Sequence, residues 1–461
     1  MENSKKLPVS KKSINNKLVL EHQLKATLVD VFLSKHLVNP KLAVAFSGGL
    51  DSCVLLHLLV NLNKTLPFQL SAHHVHHGLS VNADAWADFC ALTCANLRVP
   101  LTISKAKINK NSGLGLEATA REARYSALLS TDAQFICLAH HQDDQAETLL
   151  LQLARGAGVK GLAGMAAVSG KLLRPLLDVP RSYLVAYAKR HQLTWIEDES
   201  NADTAFDRNF KRHKALPILE ESYPSIRQTL GRSALHMAQA SNLLDELAAL
   251  DAANCAYIAG SKQLQLQTLA QLSQARVNNV LRWWLAQLGA ALPSAMQLQQ
   301  ISQQLLQAST NANINIKLSA NLVLRRFQGN AYLVNALPAV DASMCLEWRG
   351  EEAITLPDQT RLLFSQQLGQ GIALRHMASK KLTIRYRQGG ETIKPQANRP
   401  TRRLNALLQT IGMPPWQREQ LPLIFIDDIL VVIPNIAVDA SLQASSDEIG
   451  LAVSWLNSIN L

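Results

Sequence analysis

Short apolar runs alternate with helix-like stretches through the first half of the chain, and this alternation limits the fold more than any other feature. Strands that alternate with helices at roughly 30-residue intervals form a parallel sheet wound with helices on both faces. Ligands of such sheets lie outside the carboxyl ends of the strands. We therefore expect a doubly wound α/β domain with functional residues just after its strands. The apolar runs lie at 42–46, 68–75, 101–104 and 134–139, and the helix-like stretches at 50–62, 82–97, 116–130 and 143–154.

The second half of the chain changes character twice. Residues 225–310 are rich in Leu, Ala and Gln at helical spacing, which predicts a mainly helical middle domain. A β-rich segment at 313–335 follows, and residues 345–461 mix strands with at least one helix, which predicts a small α+β domain. The predicted divisions are a basic N-terminal extension at 1–38, the sheet domain at 39–220, the helical domain at 221–340 and the C-terminal domain at 341–461.

The chain is strongly basic, which indicates a polyanionic partner. Its 461 residues carry 46 Lys and Arg against 35 Asp and Glu, a formal net charge of +11. Nucleic acid is the first candidate and an anionic membrane the second, and charge alone does not separate either from a merely basic surface. No apolar run reaches the roughly 20 residues that span a bilayer, and residues 1–17 lack the apolar segment of a signal peptide.

The cysteine pattern predicts a reducing compartment. Most of the six cysteines lie in apolar segments and none forms a CxxC pair, which is typical of buried thiols. Cys90 and Cys94 are spaced i, i+4 on a predicted helix, where core packing explains them better than a metal. We expect a cytoplasmic protein that does not bind membranes. The sequence leaves the oligomeric state open, a homodimer included.

The loop after the first predicted strand has the composition of an anion cradle. Glycines allow a tight turn and close approach of a ligand, while hydroxyls and the free N–H groups of the next helix hold anions. The P-loop pattern GxxxxGK[ST] is absent, so SGGLDS fits the grip on pyrophosphate used by enzymes that cut ATP at the α-phosphate. A plain glycine-containing turn is the alternative. The predicted ATP-binding residues are Ser47, Gly48, Gly49, Leu50, Asp51 and Ser52.

A second polar stretch, "LAHHQDDQAETLLLQLARGAG" at 138–158, again follows a strand and opens a helix. Asp144 and Glu147 are spaced i, i+3 and share one helix face, and acids in a first turn also suit the helix dipole. Since both polar stretches end strands of one sheet, we expect Asp51 and Asp144 to approach a Mg²⁺ on ATP. His141 is expected at the same edge.

The histidine-rich stretch "SAHHVHHGLS" at 71–80 invites a zinc interpretation, but no cysteine or acid stands at ligand spacing. We expect instead a turn that orients a substrate, with His76 and Gly78 in it.

Two further stretches carry charge in patterns with two interpretations. The stretch "GLEATAREARYSAL" at 115–128 places Arg121 and Arg124 on a predicted helix. These arginines either form ion pairs on an exposed helix face or contact the substrate. In the stretch "WIEDESNADTAFDRNFKRH" at 195–213, acidic residues precede Arg208, Asn209 and Arg212. This stretch is either a solvated loop or part of the functional site.

A basic run near the C-terminal end predicts RNA contacts. Eight Lys and Arg residues lie between 380 and 403, Arg402 and Arg403 among them, against the single acid Glu391. Basic groups position phosphates, and Trp416 is either a base-stacking residue or part of the core.

Taken in order, SGGLDS, HHVHHGLS, EATAREARY, AHHQDDQAET, RPLL, EDESN and RNFKR resemble the motifs of bacterial tRNA(Ile)-lysidine synthetases, members of the PP-loop ATP pyrophosphatase group. The resemblance covers roughly 40–215 and resumes at 385–434 with PPWQREQLPL. Ser80 stands where some relatives carry arginine. A tRNA thiolase of the same group needs cysteines that this chain lacks in CxxC form, and a non-catalytic RNA-binding protein would not need the acidic set.

The resemblance implies a two-step reaction with ATP, Mg²⁺, free L-lysine and an isoleucine tRNA with a CAU anticodon. The O2 atom of the wobble cytosine attacks the α-phosphorus and pyrophosphate leaves. The ε-amine of lysine then attacks C2 and expels AMP. Phosphoryl charge calls for positioned N–H groups and metal, and the amine calls for a base. We assign Asp51 and Asp144 to the metal and Glu147 to the base.

Overall fold

The computed structural model describes residues 11–76, 78, 80–106, 116–199, 207–309, 312, 314–336, 340–377 and 380–456, with the backbone alone at 11–19, 116–118 and 207–208. Contacts divide the chain into two compact units, Met1–Glu246 and Leu247–Leu461. The helix that contains this division runs from Ile226 to Asn254.

The first unit is built on a mainly parallel sheet of strand order β3-β2-β1-β4-β6-β5. Neighbouring pairs are parallel except β5 with β6. Strand β1 is the switch point, because the chain winds outward from it through β2 and β3 on one side and then places β4 on the other. A crevice for a ligand is expected at such a point, outside the carboxyl ends of β1 and β4. The strands are β1 Lys41–Ala45, β2 Gln69–His76, β3 Leu101–Lys105, β4 Phe135–Cys137, β5 Val168–Ser169 and β6 Leu172–Leu173.

Helices cover this sheet because their apolar faces need a partner. Helix α2 is the clearest case, since its apolar residues from Leu50 to Leu59 are mostly buried against β1 and its neighbours. The helices are α1 Lys11–Ser34, α2 Leu50–Leu62, α3 Ala83–Leu97, α4 Leu116–Leu129, α5 Gln142–Ala154, α6 Val159–Leu162, α7 Arg181–Arg190, α8 Asp207–Phe210, α9 Leu216–Ser222 and α10 Ile226–Asn254, with a π-helical turn at Lys211–Ala215 between α8 and α9.

The second unit begins with helices that pack on a small antiparallel sheet of order β7-β10-β9-β8. Trp284 is fully buried in this core. The elements are β7 Gln263–Gln265, α11 Leu266–Leu269, α12 Gln274–Gln287, α13 Ala295–Gln307, β8 Asn315–Lys317, β9 Leu322–Phe327 and β10 Asn330–Asn335.

The rest of the second unit is α+β. Its sheets have the orders β11-β15-β18-β19-β20, β12-β13-β21-β14 and β16-β17. The elements are β11 Cys345–Glu347, β12 Ala353–Thr355, β13 Arg361–Leu368, β14 Ile372–Ala373, a 3₁₀ turn Leu374–His376, β15 Leu382–Arg385, β16 Thr392–Ile393, β17 Arg402–Arg403, α14 Leu404–Thr410, α15 Pro415–Arg418, β18 Leu423–Ile426, β19 Ile429–Ile433, β20 Ala437–Val438 and β21 Ile449–Leu456.

The predicted fold class is confirmed: a parallel α/β domain, a helical region and an antiparallel α+β region follow one another along the chain. The middle region also contains the sheet β7–β10. Strands β8, β9 and β10 lie in the predicted β-rich segment, whereas β7 lies in the stretch predicted to be helical, so the helical prediction was wrong at that point. In the part of the chain that the structure describes, no helix has the length and apolar character needed to cross a bilayer.

Candidate active site

The SGGLDS loop connects β1 to the first turn of α2, and its two glycines differ. Gly48 has φ +82°, and a Cβ added there would lie 2.6 Å from Ile196 Cδ1. The carbonyl of Gly48 accepts a hydrogen bond of 2.9 Å from the Ile196 N–H. Gly49 has φ −73° and room for a Cβ, so neither strain nor packing requires glycine at this position. Close approach of a ligand is the remaining reason for it.

The hydroxyls of the loop stabilise its shape. Ser47 Oγ lies 3.1 Å from Ser52 Oγ, and Ser52 Oγ donates to the carbonyl of Gly49 at 2.9 Å. The Gly49 N–H points back to Ser47 Oγ at 3.4 Å. Leu50 begins helix α2 and is buried, and Asp51 follows it in the first turn. The predicted six-residue cradle therefore combines two hydroxyls with a helix N-terminus, the arrangement that favours anions.

The end of the neighbouring strand β4 leads into α5 through a reciprocal cap. The Asp144 N–H donates to His141 Nδ1 at 3.4 Å, and the His141 N–H donates to Asp144 Oδ2 at 3.0 Å. This capping box stabilises the helix start and fixes both side chains. His141 and Asp144 are both buried.

His141 lies between the acids of the two strand ends. Its Nε2 atom is 3.6 Å from Asp51 Oδ2 and 3.5 Å from Asp144 Oδ2. Burial opposes the charged imidazolium, but the hydrogen bond to Asp51 and the charges of Asp144 and Asp143 outweigh it and raise the pKa of His141. Asp51 and Asp144, which are 93 residues apart in sequence, are thus brought to one histidine as the sheet prediction required.

Glu147 is held by Arg212 through both carboxylate oxygens. Arg212 Nε donates to Glu147 Oε1 at 2.6 Å, and Arg212 Nη2 donates to Glu147 Oε2 at 3.1 Å and to Asp144 Oδ1 at 3.2 Å. Glu147 is only 1% exposed. Burial opposes the guanidinium charge, but Glu147 and Asp144 raise the pKa of Arg212. The π-helical turn Lys211–Ala215 delivers this arginine, and such turns recur at functional sites.

Three charged residues that sequence reasoning missed complete the cluster. Arg181 Nε lies 3.4 Å from Asp51 Oδ1, and the Arg181 N–H donates to Asp143 Oδ1 at 3.0 Å. Arg227 Nη1 contacts Asp143 Oδ2 at 3.1 Å and pairs with Glu220 through Nε at 2.6 Å. Arg227 and Glu220 come from the two helices after the π turn, and no local sequence pattern connects them to the strand ends.

The two acids at the strand ends fit a magnesium ion. Asp51 Oδ1 is buried and accepts no hydrogen bond from the described residues, so it has free acceptor capacity. Asp144 lies beside the same histidine, and its carboxylate oxygens are of the ligand type that Mg²⁺ prefers. In proteins Mg²⁺ is commonly bound by one or two carboxylates together with substrate phosphates. Within the described ranges no group of three or more His, Cys, Asp or Glu is arranged to hold a metal alone.

The histidine-rich stretch divides into core and surface positions. His74 is buried, and its Nδ1 donates to the carbonyl of Phe46 at 2.9 Å, which supports the end of β1. His76 Nε2 lies 3.0 Å from Asp84 Oδ1 on α3. Gly78 has φ +64° with open space around it. The neighbouring His77 lies outside the described residues.

The arginines of α4 contact an aromatic ring. The guanidinium of Arg121 lies 5.0 Å and that of Arg124 5.8 Å from the ring centre of Tyr125. Arg174, from the RPLL motif, is buried and donates to His140 Nδ1 at 3.2 Å. Burial lowers the pKa of Arg174, and Tyr125 partly offsets this. Arg121 and Tyr125 of α4 therefore lie near Arg174, which contacts His140 in the segment after β4.

The region before Arg212 is described in part. Arg208 belongs to helix α8, and its side chain lies outside the described residues, as do residues 200–206 of the EDESN…RN stretch. Asn209 is half-buried on α8. Arg212, from the same predicted set, contacts Glu147 and Asp144.

The basic run of the second unit is partly neutralised. Arg385 contacts Asp428 at 3.0 Å and Lys381 contacts Glu347 at 3.7 Å. Arg402 and Arg403 form the short strand β17, and Arg403 is exposed. Trp416 is buried, with its ring 5.5 Å from Tyr332 and 6.0 Å from Phe327, so the core interpretation of this residue is correct and the stacking one is wrong.

Known families match most of the chain. The family described as PP-loop domain matches residues 17–219, the TilS substrate binding domain matches 264–332 and the TilS substrate C-terminal domain matches 382–455. A tRNA(Ile)-lysidine synthase from Nitrosomonas europaea is 42% identical over 426 residues, which cover 90% of this chain and 92% of that protein. Another from Coxiella burnetii is 37% identical over 426 residues, covering 91% and 94%. A solved U34-tRNA thiolase from Methanococcus maripaludis has a TM-score of 0.42 and 20% identity, covering 49% of this chain and 80% of that one.

Proposed function

Because the chain belongs to the tRNA(Ile)-lysidine synthase family and is an ATP-dependent tRNA-modifying ligase, we propose that it joins free L-lysine to C2 of a wobble cytidine. The acceptor is the CAU anticodon of an isoleucine tRNA. The observation that carries the assignment of residues is the convergence of Asp51, His141, Asp144 and Glu147 at the carboxyl edge of β1 and β4, beside the SGGLDS loop.

The first step activates the cytidine. Its O2 atom attacks the α-phosphorus of ATP, the new O–P bond forms as the bond to the β-phosphate breaks, and pyrophosphate leaves. The N-terminus of α2 binds the departing pyrophosphate, and the hydroxyls of Ser47 and Ser52 rotate from their contacts within the loop to donate to it. Such N–H and O–H donors stabilise the negative charge that pyrophosphate carries away. Gly49 has an ordinary backbone conformation and room beside its Cα, which supports this close approach of a phosphate to the backbone.

The acids of the strand ends hold the metal of the nucleotide. Asp51 and Asp144 would bind Mg²⁺, which supplies charge neutralisation at the phosphoryl oxygens when it is bound. His141 holds both carboxylates in place through its Nε2 atom and its backbone cap. Arg181 adds a positive charge beside Asp51 Oδ1.

The second step needs a proton acceptor. The ε-amine of lysine attacks C2, the C2–O bond breaks, AMP leaves and one proton must go to a base. Glu147 is the base in this scheme, since it lies on the same helix face as Asp144 and one turn nearer the C-terminal end of α5. Its two oxygens accept from Arg212, so Arg212 must release an oxygen before Glu147 can take a proton.

The remaining predicted residues are assigned to RNA. They are His76, Gly78, Arg121, Arg124, Arg208, Asn209 and Arg212 of the first unit and Arg402 and Arg403 of the second. The arginines of this set are expected to position phosphates and leave the reading of bases to other contacts. The buried cysteines support a cytoplasmic setting: burial raises the pKa of Cys53, Cys90 and Cys137 to about 12, which also makes them poor nucleophiles for thiolation.

One incubation tests the proposal. Protein, ATP, Mg²⁺ and radiolabelled lysine are mixed with a CAU transcript of an isoleucine tRNA, and with a matched transcript that carries U at the wobble position. We expect lysine in the CAU transcript alone, with one AMP released for each lysine joined. AMP release without lysine in the RNA, or ³⁵S transfer in a parallel reaction, would contradict the ligase assignment.

A further inference from the structure

A cavity of about 530 Å³ lies within the second unit, away from the acid cluster in sequence. Residues from strand β9, from the segment after β15 and from helix α15 and its C-terminal end line it. A volume between about 300 and 1,000 Å³ is usual for small-molecule and nucleotide sites. Its chemically distinctive lining residues are Arg325, Tyr386, Arg387, Trp416, Glu419 and Gln420.

The cavity is positively charged. Arg325 and Arg387 line it, and Arg418 lies beside them, close enough that the charge of Arg387 adds to burial in lowering the pKa of Arg418. Glu419 is the acidic residue of the lining. Three guanidinium groups against one carboxylate leave a net charge of about +2, which attracts anions.

Two of these guanidinium groups have spare hydrogen-bonding capacity. Across the described parts of the chain, neither Arg325 nor Arg387 forms an ion pair. Arg325 Nε is buried and has no hydrogen-bond partner among the described residues. Arg418, by contrast, donates its Nε to the carbonyl of Met413 at 2.6 Å. A buried donor without an acceptor is costly, so an incoming acceptor at this point would stabilise the protein.

Aromatic residues hold the cations in place. The guanidinium of Arg325 lies 5.4 Å from the ring centre of Trp416, which is itself fixed in the core by Phe327 and Tyr332. An arginine stacked on a ring keeps its planar N–H edges available for bidentate contact with phosphate. Burial and the charge of Asp358 raise the pKa of Tyr386 to about 12, so its hydroxyl stays neutral and can donate.

We propose that this cavity binds a phosphate group of a nucleotide, with Arg325 and Arg387 as its ligands. The proposal rests on the proposed function where it takes tRNA as the first source of that phosphate. A free mononucleotide carries the same group, and the experiment separates the two sources. Buried Trp416 then acts as a support for Arg325, which explains why a tryptophan in an RNA-binding protein is not on the surface.

The test uses the full-length protein and two kinds of variant. Arg387→Ala removes one ligand, and Arg361→Ala removes an exposed arginine of the same unit outside the cavity as the matched control. Ala342→Glu places a carboxylate at the exposed lining residue Ala342 without removing an arginine, and Ala342→Gln controls for its size. Melting curves establish that each variant is folded. Filter binding of the CAU transcript across a salt series and equilibrium dialysis with AMP give the readouts.

We expect Arg387→Ala and Ala342→Glu to bind the transcript about tenfold more weakly than the two controls. The slope of log K against log salt should become shallower by about one for Arg387→Ala. Loss of one bound AMP per chain with unchanged RNA binding would support the phosphate site with a free nucleotide as its ligand. RNA binding, salt slope and AMP stoichiometry that all equal those of the controls would overturn the proposal.

Failure of this proposal is distinguishable from failure of the ligase assignment. If the wild-type protein joins lysine to the transcript while every cavity variant binds as its control does, only the phosphate site is wrong. If the wild-type protein joins no lysine, the ligase assignment is wrong, and the binding data still decide whether the cavity holds phosphate.

Discussion

Replacing Glu147 by glutamine should separate the two chemical steps. Glutamine keeps the shape of the side chain and one acceptor oxygen, but it cannot accept a proton. The first step does not need this base, because the O2 atom of cytosine carries no proton to remove. The Glu147→Gln variant should therefore adenylate the tRNA, release pyrophosphate and stop before lysine is joined.

The structural cost of this change follows from the pair with Arg212. Arg212 Nη2 donates to Glu147 Oε2 at 3.1 Å, and an amide NH₂ at that position would oppose it with a second donor. Breaking a buried ion pair costs about 3–5 kcal/mol. Glutamine retains one hydrogen bond and Arg212 is 28% exposed, so we expect a loss of about 2–3 kcal/mol in the unfolding of the first unit. A drop in melting temperature of about 5–10 °C corresponds to this loss.

Glu220 offers a matched control for the stability effect. Arg227 donates to the two oxygens of Glu220 at 2.6 Å from Nε and 3.1 Å from Nη2, the same distances as in the Arg212–Glu147 pair. The side chain of Glu220 is more exposed than that of Glu147. Glu220→Gln should lower the melting temperature by less and leave the ratio of the two chemical steps unchanged. Loss of a general base should slow lysine transfer in Glu147→Gln by about 10²–10⁴-fold, with adenylation reduced only a few-fold.

An acid-quenched reaction with α-labelled ATP measures the outcome. Label trapped on the RNA without lysine is the expected result. If label never reaches the RNA, Glu147 acts in the first step, and the division of roles proposed above is wrong. If lysine is joined at the normal rate, another group is the base, and His141 is the next to test because it lies on the same edge.

Four other variants test other parts of the proposal. Asp51→Asn should abolish AMP formation with an unchanged circular dichroism spectrum, since Asp51 is 29% exposed and outside the core; near-normal turnover with Mg²⁺ would refute its metal role. Changing Arg402 and Arg403 to Ala should flatten the salt dependence of tRNA binding by about two in the log–log slope, and an unchanged slope would place the RNA surface elsewhere. Gly48→Ala should lower the melting temperature, because Gly48 has φ +82° and an added Cβ would lie 2.6 Å from Ile196. Gly49→Ala should melt at the normal temperature but bind ATP more weakly. If Gly49→Ala binds ATP with wild-type affinity, the backbone of this loop does not contact the phosphates.

The elements of the first unit were predictable because their signals are local. The helix expected at 50–62 is Leu50–Leu62, and the strand expected at 101–104 is Leu101–Lys105. Apolar periodicity, with glycine or acid at each strand end, suffices to place such elements. The approach of Asp51 to Asp144 was also predictable, because parallel strands present their carboxyl ends at one edge.

Pairing between distant charges was not predictable in this way. Arg181 and Arg227 carry no motif that distinguishes them from surface arginines, yet each contacts an acid of the cluster. For Trp416 the sequence allowed two interpretations, because a tryptophan near a basic run could stack on RNA bases or pack in the core. Only its packing against Phe327 and Tyr332 in the folded chain shows that it belongs to the core. Side-chain neighbours from separate elements depend on tertiary packing, which neither period nor spacing encodes.

Arg212 shows why this limit matters for the chemistry. Helical spacing alone presents Glu147 as a carboxylate one turn from Asp144, open to a substrate amine. In the folded chain both its oxygens accept hydrogen bonds from Arg212. A substrate amine and Arg212 therefore compete for the same two carboxylate oxygens. Access of the amine to Glu147 thus depends on the position of Arg212, and the π-helical turn that carries Arg212 is as much a part of the proposed site as helix α5.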